Sequence, residues 1–155
     1  MGRMYTVQFN GVNVTAQQDL FEIVAPATTV VVLHMLEVSQ VSEVKDAEEE
    51  MLNILLKSGS TTTGSGGSTP TPVPILVSDA AFAGTTKTNN TTKATAGTIV
   101  THAVWNWNVR GEFVKIWTPE TRPILAPSRR GTIELATTPA DPITMSGTLT
   151  FESIG

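Results

Sequence analysis

Two histidines, a run of carboxylates and three indoles are the side chains of this sequence whose types and spacing could do chemistry. His34 and His102 each fall inside an apolar, β-branched stretch, so a two-histidine metal site across paired strands is conceivable, with Glu37 as a third ligand. The plainer reading is two hydrogen-bonded, half-buried strand residues. Glu48, Glu49 and Glu50 stand side by side, and the paired carboxylates of glycoside hydrolysis could be drawn from them, but adjacent acids are ordinarily a solvated face. Trp105 and Trp107 share one face of a strand, because side chains alternate, and Trp117 is placed across a hairpin from them. Such a stripe can stack sugars as a glycan-binding platform, or pack in a core or subunit interface, the commoner use of large aromatics. No GxSxG, GxxxxGK[ST] or GxGxxG element stands between a strand and a helix, and Gly64 to Gly67 lacks the Lys of a phosphate loop. The His-x-His signature of a cupin is absent too. The expectation is therefore a non-enzyme with no catalytic residue, no metal ligand and no cofactor.

A chain of 155 residues fits one domain and can bury a core of its own. Cysteine is absent, which excludes a disulfide framework and a thiolate zinc site. A net charge of −4 and a pI near 5.1 argue against nucleic acid, whose phosphates need clustered Lys and Arg. The apolar run Thr28 to Val38 is far short of a bilayer span and contains His34 and Glu37. The opening MGRMYTVQF lacks the apolar centre of a signal peptide, so a cytoplasmic origin and no membrane partner are expected.

Thr is the commonest residue, Val is abundant, and Gly and Pro supply turns, which is an all-β composition. The elements arrange around Thr28–Ser39, which reads as a central strand buried on both faces. Before it, Met4–Phe9 alternates and breaks at Asn10-Gly11, a hairpin signal, and Asp19–Ala25 follows to make a meander. Glu43–Lys57 can be written as a helix capped by Ser42, but the alternation of Leu52, Ile54 and Leu56 favours a strand over Glu50–Lys57. Thr98–Asn108 is the second strong strand, with Glu112–Trp117 as its hairpin partner. Asp79–Ala96 reads as small, polar turn, Ile124–Pro127 as an edge segment, and Thr132–Ala136 and Met145–Phe151 as the last strands. This predicts one domain over residues 1–155, an antiparallel two-sheet sandwich of jelly-roll type, with an immunoglobulin-like sandwich as the alternative.

Ser58–Pro74, SGSTTTGSGGSTPTPVP, has almost nothing apolar to offset its ordering entropy. It is expected to be a flexible loop or assembly arm, its Gly/Ser half mobile and its Pro half extended, adding little to the domain's own stability. The candidate partner-interface residues are therefore Ser58, Thr61, Thr63, Gly66, Thr69, Pro70, Pro72 and Pro74, together with Trp105, Trp107 and Trp117.

The opening GRMYTVQFNGVNVTAQQDLFEI, the stretches DAEEEMLNILLKSG, GSGGSTPTPVP and NNTTKA, and the closing TMSGTLTFESIG resemble small virion proteins of tailed phages and prophages along most of the chain. The type is similar to the jelly-roll cement, or decoration, proteins of HK97-like capsids. The resemblance implies a non-enzymatic structural protein, made in a host bacterial cytoplasm and carried on the capsid surface. Its implied partners are the major capsid protein and further copies of itself, as a dimer or trimer.

Overall fold

A computed structural model describes residues 2–42 and 49–155. The strands among them are β1 (Arg3–Val14), β2 (Gln18–Val24), β3 (Val30–Gln40), β4 (Met51–Thr62), β5 (Val73–Pro74), β6 (Thr85–Asn90), β7 (Thr95–Asn108), β8 (Phe113–Ile116), β9 (Ile124–Leu125), β10 (Arg130–Leu135) and β11 (Ile143–Ile154). They form two antiparallel sheets packed face to face. One has the order β5-β1-β11-β3-β8, with β9 also paired to β3, and the other β6-β2-β10-β4-β7. The pairs are nested: β1 with β11, β2 with β10, β3 with β8 and β4 with β7. A long hairpin rolled back over itself gives this order, which is the jelly roll. The immunoglobulin-like alternative falls away, because β1 to β4 alternate between the sheets instead of pairing with their chain neighbours.

Period-two alternation decides which side chains enter the core. Tyr5, Val7 and Phe9 of β1, Leu52, Ile54 and Leu56 of β4, and Met145, Leu149 and Phe151 of β11 are all buried, as their spacing requires. Tyr5, Phe82 and Phe151 form an aromatic cluster with ring centroids 4.9 to 5.6 Å apart, and Phe9 meets Phe21 of the opposite sheet at 5.2 Å. These contacts tie the sheets together through one continuous core.

Four elements differ from their sequence reading. Asn10-Gly11 is not a hairpin turn: β1 runs on to Val14 along β11, with a bulge between Phe9 and Val12. Gly11 takes φ 64°, and the Ser146 hydroxyl accepts from its N–H and donates to Asn10. A bulge uses the same positive-φ preference that a hairpin does, so the dipeptide alone cannot separate them. The first strands form no meander, since β1 and β3 lie on either side of β11. β3 is an interior strand beside the central β11 and is not buried on both faces throughout: a bulge at His34 turns Leu33 and Leu36 both inward, and on the outer face Val32 is covered while His34, Met35, Glu37 and Ser39 stay half-exposed. β8 is not the hairpin partner of β7, because residues 109–112 cross from one sheet to the other.

Glu50–Lys57 gives β4, which continues to Thr62. Residues 43–48, where the helical alternative would begin and where Glu48 stands, lie outside the described residues. Asp79–Ala96 is not a turn throughout: it contains β6 and the start of β7, and β6 has no counterpart in the sequence reading because its residues are Thr, Lys and Asn and carry no apolar signal.

Candidate interaction surface

The indoles sit where β7 and β8, the edge strands of opposite sheets, come together on one side of the sandwich. Trp107 is buried and its Nε1–H donates to the Gly111 carbonyl at 2.7 Å. Trp117, also buried, lies across the sandwich from Trp105 with ring centroids 6.2 Å apart at 61°, and Trp105 is 5.7 Å from Phe113. Trp105 and Trp107 do share a face, but it is the inner one, and Trp117 approaches Trp105 edge-on. No pair of coplanar, exposed indole faces results. Instead Trp105 and Trp117 wall a cleft of about 420 Å³ between the sheet edges, with Leu56 and Leu125 deeper in and Lys115 and His102 at its rim.

Ser58–Pro74 is a strap laid across the domain's own edge. Its first residues finish β4, Ser65 and Ser68 bridge to Thr92 and Thr88, the Thr86 hydroxyl donates to the Pro70 carbonyl, and Val73–Pro74 pairs with Tyr5 and Thr6 of β1. Gly64 and Pro72 are buried, while Thr61, Thr63, Gly66 and Thr69 keep exposed outer surfaces.

The outer face of the second sheet holds Asp19, Glu22 and Glu134, all buried, with the strap over Glu22. Glu22 is fully engaged: Oε1 accepts from the Thr63 hydroxyl (2.7 Å) and Arg130 Nε (2.8 Å), and Oε2 from the Gly64 N–H and Asn90 Nδ2 (both 2.9 Å). Arg130 Nη1 donates onward to the Ser60 carbonyl at 3.0 Å. Glu134 pairs with Lys57 and Lys93; burial alone would raise its pKa, but the hydrogen bonds and charges of those two lysines outweigh burial and hold it below the ordinary glutamate value. Burial pushes Asp19 up to about 6; the Ala94 N–H and Lys93 favour its anion, and the Glu134 and Glu22 charges oppose it.

The sequence reading missed this network. Its signal was an acid embedded at outward positions of otherwise apolar strands, Asp-Leu-Phe-Glu-Ile in β2 and Ile-Glu-Leu in β10. What covers that face, the strap over Glu22 and Lys93 and Ala94 beside Glu134 and Asp19, has no apolar pattern in the sequence.

The remaining candidates are dispersed. His34 Nε2 lies 3.1 Å from Glu152 Oε2 on the first sheet, and His102 Nε2 lies 2.7 Å from the Ser58 hydroxyl on the second, so the histidines are not on paired strands. Among the described residues no three His, Asp or Glu side chains gather as a metal-binding set. Glu49 accepts from Asn108 and Glu50 from the Ala140 N–H, which makes them fasteners of neighbouring loops.

A further feature stands out at the edge of the first sheet. Beyond the strap, Ile75, Leu76 and Val77 are consecutive aliphatic residues, 58, 61 and 89% exposed, with Val73 exposed beside them. Their loop is fixed by the Ile75 N–H on the Met4 carbonyl (2.9 Å) and the Asp79 N–H on the Leu76 carbonyl (2.8 Å). No protein-family model matches the chain, and no curated protein matches it.

Proposed function

We propose that the chain is a non-enzymatic structural protein of a tailed-phage virion, a jelly-roll cement protein that seats on the major capsid protein and stabilises the shell, assembling there as a homo-oligomer. The sequence resemblance supplies the phage setting. The observation that carries a docking role is the Val73–Val77 segment: single exposed aliphatics are ordinary on a protein surface, but four in five positions on a fixed loop make a contiguous apolar patch suited to protein contact. Because that loop is already ordered, little conformational entropy opposes its burial against a partner. Many copies on one shell multiply a modest contact into strong attachment. The indole arrangement gives no support to the glycan-binding alternative.

Co-sedimentation of the purified chain with empty capsid shells tests the reading. The wild type is expected to pellet with shells, and Leu76→Asp with Val77→Asp to weaken binding by about tenfold or more without altering the fold. Equal binding by the double variant removes the patch from the account.

A further inference from the structure

We propose that the cleft between β7 and β8 receives an extended segment of another protein, paired edge-to-edge with Ala103–Asn108, one apolar side chain packed on Trp105 and an acidic side chain held by Lys115. The inference stands on the cleft itself and holds whichever particle the chain belongs to.

The first ground is the contrast between β7 and the other sheet edges. Edge strands offer unpaired N–H and C=O groups, and natural sheets shield them with charges, prolines, shortness or a covering segment. Here the outer side of β6 is bridged at Thr88 by Ser68 of the strap, with Ser65 bridging Thr92 just beyond it, and β5 is two residues long and ends at Pro74. β8 has four residues, one of them Lys115, and β9 has two, set between Pro123 and Pro127. β7 has 14 residues with no proline and no Asp, Glu, Lys or Arg among them, and among the described strands β4 is its one paired neighbour. Its register shifts fall at the Thr95–His102 end, whereas Ala103–Asn108 pairs regularly with Met51–Leu56. That regular, uncharged run is the shape onto which another strand adds.

The second ground is what such a strand would meet. Side chains alternate, so a strand laid beside β7 directs every second residue to the inner side, where Ala103 and Trp105 point. The cleft lies there, and about 420 Å³ accommodates a large apolar side chain and part of its neighbour. The third ground is charge. In a chain of net charge −4, the charged residues lining this cleft are Lys57 and Lys115, with no carboxylate among the described residues, and only Lys115 turns its side chain inward, as Phe113 and Trp117 do. Lys57 is already paired with Glu134, while Lys115 makes no ion pair among the described residues. A partner carboxylate beside the buried apolar group completes the site. Main-chain pairing supplies affinity and the cleft supplies selection, which is the division of labour of strand addition.

The test uses the full chain and a displayed random peptide library of about twelve residues per member. Selected peptides are expected to alternate, with an acidic residue two positions from a large apolar one. The synthesised best binder should slow amide hydrogen exchange in Ala103–Asn108 and shift the Trp105 indole signal. Lys115→Glu should weaken it by about tenfold while Lys115→Arg retains binding. Filling the cleft with Ala103→Trp should abolish selection; Lys115→Glu, a change at the cleft rim, keeps the test decisive if that variant misfolds. Three results overturn the proposal: selection of the same peptides by the Lys115→Glu chain, binding that leaves the Ala103–Asn108 amides exchanging freely, as a small organic anion in the cleft would, or concentration-dependent protection of those amides in the chain alone, which identifies a second copy as the occupant.

Discussion

At the scale of single residues, the chain's least expected side chain is Glu22. A carboxylate 2% exposed with four hydrogen-bond donors on it is stable only while all of them stay in place, since removing one member of a buried ion pair strands the other. Glu22→Ala should therefore lower unfolding free energy by about 3 kcal/mol in a urea titration; a loss under about 1 kcal/mol would mean Arg130 and the strap have other partners. Asp19 makes an opposite demand. Its folded pKa, about 6, lies above the ordinary 3.8, so the folded state binds its proton more tightly. The stability that Asp19 contributes is complete below about 3.8 and lost as pH rises through about 6. Glu134, held below its ordinary value by Lys57 and Lys93 against the pull of burial, runs the other way and loses its contribution as pH falls. Asp19→Asn should remove only the first effect: relative to wild type, its stability should gain about 2 kcal/mol between pH 4 and pH 7. Parallel stability curves for the two proteins would show Asp19 to be solvated. None of this was legible from residue identity, because an acid in a strand reads as solvent-facing until something is known to cover it.

Among the elements, those with an apolar period were legible and those held by polar contacts were not. β1, β4 and β11 follow from Tyr5, Leu52 and Leu149 and their alternating neighbours. β6 and the strap are held by threonine and asparagine hydrogen bonds, backbone bridges and glycines that let chains touch, and none of these leaves a hydrophobic pattern. The strap shows the consequence. Composition described a free arm; the structure shows a fastened one whose loss removes two of the donors on Glu22. Deleting Thr61–Thr69 should accordingly lower Tm, and an unchanged Tm would restore the arm. A finer probe is Gly67→Ala: a Cβ there runs into the Thr88 carbonyl oxygen, so the strap must lift from β6. Limited proteolysis should then cut between Thr63 and Pro70 faster than in wild type, with global stability falling by about 1–3 kcal/mol.

For the whole molecule, nested pairing places the two ends of the chain against each other, β11 lying between β1 and β3 in the middle of its sheet. The last strand therefore completes the fold instead of decorating it, and a chain lacking residues 143–155 should show no dispersed amide spectrum, its first sheet having been split. The jelly-roll class was readable from strand number, prolines and Thr/Val content; the pairing order was not, because bulges at Gly11 and His34 and crossings such as 109–112 are decided by packing across the sandwich. Outward, the described residues present a hydrogen-bonded aliphatic loop at one sheet edge and, at another, a strand that no described segment covers. Both surfaces suit assembly, and we propose that the assembly is a virion shell. Quantitative mass spectrometry of purified particles, raised from a phage or induced prophage whose genome carries this sequence, is the measurement that decides it. The chain is expected in the particles at a copy number comparable to that of the major capsid protein, and its absence from particles that contain every other structural protein would rule out the virion role.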